Sequence, residues 1–160
     1  MIFREVRPEE ILLLFEEGYK EWSKNRTFEQ YYIDNGKEDS YGTRYVIEMD
    51  GEIVSSTIVL MLKPFNGRKV YGFGSVLTPK RYAGNGYATE LLNNCIKLIR
   101  KDAAIFLFSD INPVFYEKFG FRILPPQLQK KEKSVCMVYC SGEIWEELLT
   151  SSKDKLPDYF

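Results

Sequence analysis

Histidine is absent from this 160-residue chain, which removes Ser-His-Asp and Cys-His nucleophilic machinery, the H-E-x-x-H zinc proteases and most zinc chemistry together. Acid-base work falls to Tyr, Glu, Asp, Lys or Cys, and no metal site is expected. Cysteine is scarce: Cys95, Cys136 and Cys140 are an odd number with no C-x-x-C pair, so neither a disulfide framework nor a zinc knuckle is indicated. No apolar run reaches the roughly 18 residues of a membrane span. Glu9, Glu10, Glu16 and Glu17 interrupt the apolar positions where a secretory signal would lie. The expected place is therefore the cytoplasm, with no membrane partner. Excess charge is also lacking, with 22 Lys plus Arg against 23 Asp plus Glu, so the whole chain gives no electrostatic case for a nucleic-acid partner.

What remains is an ordinary globular composition, 44% hydrophobic and 28% charged, on a chain long enough for one sizeable core and too short for two full domains. The expected domain spans 1–150, with a loose tail over 151–160. Ile2 to Val6 suits a short strand. Pro8 suits a first helical turn, after which Ile11, Leu12, Phe15, Tyr19 and Trp22 recur at helical spacing. Thr27 can cap a second short helix that stops at Asn35-Gly36. Asp50-Gly51 and Asn66-Gly67 are strong hairpin signals, and they divide three antiparallel strands at about 43–49, 53–62 and 69–77.

Beyond Thr78-Pro79 the period changes. Ala88, Leu91, Leu92, Cys95, Ile96 and Ile99 share one helical face, and Lys97, Arg100 and Lys101 suit the negative end of a helix that starts near Gly86. Residues 104–108 read as a buried strand, and a strand-helix-strand order of this length implies a parallel crossover. A short helix from Asn112-Pro113 to Lys118, strands at 121–124 and 135–139 and a helical turn or two at 143–149 complete the pattern. The expected fold class is α/β: a single domain with a mixed, mostly antiparallel sheet and helices on both faces.

Between Glu52 and Glu90 there is no acidic residue, while Lys63, Arg68, Lys69, Lys80 and Arg81 fall inside that window. A basic run is most often a solvated face. This one ends in Arg81-Tyr82-Ala83-Gly84-Asn85-Gly86, a glycine-bearing link from strand to helix, where amide N–H groups and the positive helix end converge on any bound phosphate. No Lys follows the last glycine, so a P-loop is excluded. The sixth position of a dinucleotide fingerprint would be Thr89 where Gly or Ala is needed, which disfavours dinucleotides.

Arg81-x-x-Gly84-x-Gly86 resembles the central motif of the GNAT superfamily of acyl-CoA-dependent N-acetyltransferases. Phe115-Tyr116-Glu117-Lys118-Phe119-Gly120-Phe121 resembles that family's second signature. The resemblance is strongest from Val46 to Leu124. It implies acetyl-CoA as cosubstrate and a small-molecule or peptide amine as acceptor, with pantetheine in a splay beside the fourth strand. Backbone groups at Val76 and Leu77 would pair with the pantetheine amides. Arg81, Tyr82, Ala83, Gly84, Asn85, Gly86, Tyr87 and Ala88 would surround the diphosphate, and Asn112 and Phe115 would contact the coenzyme. Tyr116 matches the family's general acid, and a phenol with pKa near ~10 keeps its proton at neutral pH.

Two departures stand out. Relatives often carry a Glu on the fourth strand and an Asn seven positions before the Tyr; here residues 69–77 contain no acid and the second position is Ser109. The base therefore stays open among Glu48, Glu52, Asp110 and a relayed water. Gly72 and Gly74 suit either a bulge that opens the splay or close packing. Residues 1–40 hold ten acids against six bases, which would favour a cationic amine. By analogy with relatives, a homodimer would pair through 135–139. The alternatives are a catalytically silent acyl-CoA-binding or regulatory module and, from the basic run alone, a nucleic-acid binder whose affinity falls with salt.

Overall fold

The computed structural model describes residues 1–160. The chain divides into two compact units, one made of residues 1–60 and 75–98 and the other of 61–74 and 99–160. The first opens with strand β1 (Ile2–Glu5) and helix α1 (Ile11–Trp22). Pro8 starts a separate 3-10 turn, Pro8–Glu10, rather than α1 itself. Helix α2 (Phe28–Gly36) begins where the Thr27 hydroxyl accepts a hydrogen bond from the Gln30 amide at 3.1 Å, which satisfies one donor that a helix start leaves open. Aromatic rings lock α1 to α2: Phe15 meets Tyr31 and Tyr32 edge-on, and Tyr19 meets Phe28 and Tyr31.

Strand β2 (Gly42–Met49) pairs antiparallel with both β1 and strand β3 (Glu52–Phe65). At the Asp50-Gly51 turn between them φ is +50° and +80°, the pair of positive values that a tight hairpin of this hand requires. Helix α3 (Tyr87–Leu98) turns Leu91, Leu92 and Cys95 fully inward. It stops three residues short of Lys101, so of the three basic residues expected at its negative end only Lys97 lies in its last turn.

The second unit contains the Asn66-Gly67 turn, again with two positive φ values, where β3 passes to strand β4 (Arg68–Leu77). Strand β4 pairs in parallel with strand β5 (Ala104–Ser109) from Val70↔Ala104 to Gly72↔Phe106. Helix α4 (Val114–Glu117), strands β6 (Arg122–Ile123) and β7 (Val135–Tyr139) and helix α5 (Gly142–Leu149) follow. Phe65, Phe106, Leu124, Val138, Ile144 and Leu148 form the core of this unit. Strands neighbour one another in the order β1-β2-β3-β4-β5-β7-β6, the mixed, mostly antiparallel α/β sheet that the pattern predicts.

One expectation is corrected and two that were left open are narrowed. The tail is packed: Leu156 is 5% exposed, Lys130 donates to its carbonyl at 2.8 Å, and the Phe160 ring meets Phe108 edge-on at 5.2 Å. The polar composition of 151–155 hides two apolar anchors further along. Secondly, the bulge reading of the β4 glycines gains no support from a positive φ at either of them. The positive φ falls on Ser75, at +47°, whereas Gly72 marks close packing, since a Cβ there would stand 2.6 Å from Phe160 Cζ and 3.0 Å from Leu62 Cδ1. Thirdly, β7 has no free edge for a second copy over its middle, because Met137 and Val138 face Leu107 and Phe106 on one side and Ile123 and Arg122 on the other.

Candidate active site

The link from β4 to α3 is built in two steps. A 3-10 turn over Lys80–Tyr82 uses the Tyr82 and Ala83 amides, which donate to the Pro79 and Lys80 carbonyls at 2.8 and 3.2 Å. These two amides, expected among the ligand groups, already have partners. Next the chain enters the left-handed region twice, at Gly84 (φ +81°) and Gly86 (φ +79°), and a Cβ at either would meet nothing within 4 Å. Open space lies over these glycines, so packing does not explain them. The Asn85 side chain braces the turn by donating to the Tyr82 and Ala83 carbonyls at 3.0 and 3.3 Å.

The first hydrogen bond of α3 runs from the Glu90 amide to the Gly86 carbonyl at 3.0 Å. The amides of Tyr87 and Ala88 precede it and have no acceptor within the helix, at the end where the helix dipole is positive. Residues 83–86 are exposed. Together these groups gather amide donors at one exposed turn, beginning at Gly84, three residues after the start of the expected set.

Arg81 points away from the turn and toward α1. Its Nη2 donates to Glu17 Oε1 at 2.9 Å, and its guanidinium lies over the Tyr82 ring at 4.7 Å. The hydrogen bond from Arg81 holds the Glu17 carboxyl below the usual carboxylate range, with Lys20 assisting and partial burial opposing. Glu17 and Arg81 border a cleft with an empty volume of about 260 Å³ that includes open solvent. Its remaining walls are Leu13 and Leu14 of α1, Ile53 and two serines of β3, Leu77 and Pro79. The Ser55 hydroxyl, 1% exposed, is satisfied by the Leu77 carbonyl at 3.2 Å and Thr78 Oγ1 at 2.9 Å. Sequence reasoning missed Glu17. It stands 64 residues before Arg81, and no local pattern separates it from the exposed Glu16 and Glu21 of the same helix.

In the second unit Tyr116 sits on α4 and is 7% exposed. Its ring lies 5.0 Å from that of Phe115 and 6.2 Å from that of Phe121. Burial, with Asp110 adding negative charge, pushes the phenol up to about 12. Asn112 shapes the entry to α4, where its Oδ1 accepts from the Val114 amide at 3.1 Å and its carbonyl from the Phe115 amide at 3.2 Å. Ser109, standing where relatives often have Asn, is 2% exposed and donates to the Ile111 carbonyl at 2.8 Å.

Each carboxylate considered as a base is engaged. Glu48 accepts from Arg4 at 2.8 Å, Glu52 from the Tyr82 hydroxyl at 2.6 Å and Asp110 from the Ser134 hydroxyl. All three cysteines are unpaired, and burial pushes Cys95 and Cys136 up to about 12 and Cys140 to about 11. At such values a thiol is not a ready nucleophile.

A mixed sheet that leads through a bare glycine turn into the start of a helix is the frame of an α/β protein. The chain belongs to the Acetyltransferase (GNAT) family, whose profile matches residues 8–121. No curated protein matches the chain. Among solved structures it is similar to a probable N-acyltransferase of Enterococcus faecalis V583, at 21% identity and TM-score 0.62, covering 76% of this chain and 32% of that one. The chain thus spans about a third of the length of that protein. It is also similar to the PaiA N-acetyltransferase of Thermoplasma acidophilum, solved with coenzyme A (13% identity, TM-score 0.64, 88% of this chain and 98% of that one). A third likeness is to Arabidopsis thaliana Naa50, solved with the bisubstrate analogue CoA-Ac-MVNAL (19%, 0.62, 86% and 95%). At these identities the likeness bears on the fold. No helix is long and apolar enough to cross a membrane.

Proposed function

We propose that this protein transfers an acetyl group from acetyl-CoA directly to a primary amine. Membership of the Acetyltransferase (GNAT) family supports acyl transfer, and two structural neighbours were solved with CoA or a CoA conjugate. The observation that carries the proposal is the turn itself, with two glycines at positive φ under open space and the first amides of α3 behind them. The amides from Gly84 to Ala88 hold the diphosphate, with Arg81 as a mobile cation beside them. Backbone groups at Val76 and Leu77 pair with the pantetheine amides; the Leu77 carbonyl keeps one lone pair for this while Ser55 occupies the other.

Tyr116 contributes a hydrogen bond to the sulfur as the thioester breaks. Complete transfer of its proton, from a phenol at about 12 to a thiolate near ~8.5, is about 5 kcal/mol uphill. The proton that ends on the thiol therefore originates on the amine, which loses one as the C–N bond forms, and the phenol steadies the charge in passing. With Glu48, Glu52 and Asp110 engaged, a water relay fits the acceptor side. The three unpaired cysteines agree with a cytoplasmic place.

Thiol release from acetyl-CoA, followed across a panel of amines, tests the proposal. Tyr116→Phe is expected to lower kcat about 100-fold or more, the share of one hydrogen-bond donor aimed at developing charge, with CoA affinity unchanged. Equal turnover in the variant removes Tyr116 from the mechanism. CoA binding without acceleration by any amine selects the silent module instead.

A further inference from the structure

Glu17 and Arg81 are the two ionised groups bordering the cleft of the first unit. Their pairing is lopsided. The Glu17 side chain is 13% exposed and the Arg81 side chain 52%, so the carboxylate is fixed in the cleft wall while the guanidinium reaches it from outside. The other cation on Glu17 is Lys20, at 3.3 Å on the same Oε1 and 65% exposed, a pairing of the weak surface kind. Arg81 also stands three residues before Gly84, where the diphosphate binds in the reading above, and a diphosphate carries more negative charge than one carboxylate. Two anionic sites thus compete for one mobile cation.

We propose that Arg81 exchanges between Glu17 and the diphosphate, and that coenzyme binding thereby frees Glu17 to hold the distal ammonium of an alkyl diamine acceptor. This rests on the reading of the turn as the diphosphate site. The acceptor class follows from the chemistry of the walls. The nitrogen that attacks must be neutral, so a cation held by Glu17 is a second nitrogen of the same molecule. Leu13, Leu14 and Ile53 offer an apolar surface to the methylenes between the two nitrogens. The distal ammonium takes the place that Arg81 leaves on Glu17 Oε1, so the carboxylate keeps a cationic partner and anchors positive charge in place of taking the proton of the attacking amine.

The test compares 1,4-diaminobutane with butylamine, which have the same carbon count and differ by one terminal cation, in thiol release from acetyl-CoA. Calorimetry with CoA runs beside it. The wild type is expected to favour the diamine in kcat/KM by about tenfold or more, the scale of one charged contact. Glu17→Gln should bring the ratio to within about twofold by lowering the diamine alone, and should tighten CoA about threefold by releasing Arg81. Arg81→Met should weaken CoA yet raise the affinity of the coenzyme-free protein for 1,4-diaminobutane. Equal use of the two amines by the wild type, an unchanged ratio in Glu17→Gln, or no gain in diamine affinity in Arg81→Met overturns the proposal. Failure of the wild type to bind CoA at all is a different result, which refutes the diphosphate turn and the exchange with it.

Discussion

Gly84 has a natural control elsewhere in the same unit. Gly84 and Gly51 have φ of +81° and +80°, and an added Cβ at either would meet nothing within 4 Å. Alanine at each therefore introduces the same backbone strain, about 1–2 kcal/mol for a left-handed residue with a Cβ, and no clash. In a domain of this size that lowers Tm by about 2–8 °C. The two positions differ in what lies over them. At Gly51 the methyl faces solvent beside a hairpin; at Gly84 it stands where, on the proposed reading of the turn, the diphosphate oxygens approach the amides. One charge-assisted hydrogen bond is worth about 1.5–3 kcal/mol, so displacing a single amide contact lowers CoA affinity about 10- to 150-fold. Differential scanning calorimetry and CoA titration on Gly84→Ala and Gly51→Ala read the two effects separately. Matched losses of stability, with CoA affinity lost only in Gly84→Ala, are expected. Undiminished CoA binding by folded Gly84→Ala would refute the assignment of the turn.

Two further perturbations concern stability. Arg4 grips Glu10 through two nitrogens at 2.7 and 2.9 Å and Glu48 through a third at 2.8 Å, and the hydrogen bond from Arg4 is the largest cause holding the Glu10 carboxyl down at about 2 from an ordinary 4.5. A lowered folded-state pKa contributes stability that is present above the unfolded value and lost as pH falls toward the folded one. Urea midpoints of the wild type should therefore fall between pH 4.5 and 2, and Arg4→Met should flatten that slope; an equally steep fall in the variant contradicts the assignment. Leu156→Ala should cost about 2–4 kcal/mol, as for a leucine buried in a core, measured by urea unfolding; a loss under about 0.5 kcal/mol would mean that the tail adds nothing to the fold.

What the sequence made legible was local. Asp50-Gly51 and Asn66-Gly67 announce their turns because few residue pairs tolerate two successive positive φ values, and 135–139 is bounded as expected because polar residues flank an apolar run. The strand-to-helix turn was readable for the same reason, its glycines being needed where they stand. Long-range facts were not readable. The pairing of Glu17 with Arg81, the burial of Leu156 and the contact of Phe160 with Gly72 each join residues far apart in the chain, and nothing in the neighbouring letters distinguishes them from surface residues. Ser75 is a different case: its positive φ falls on a residue that ordinarily avoids it, while Gly72, which tolerates it, is used for its lack of a side chain.

The two strands at the ends of the hydrogen-bonding order are short, four residues in β1 and two in β6. Only a few unsatisfied backbone groups are thereby presented along either margin, too few to template an incoming chain. The molecule should resist fibril growth by strand addition at these two margins, at concentrations that would trouble a protein ending in long flat ribbons.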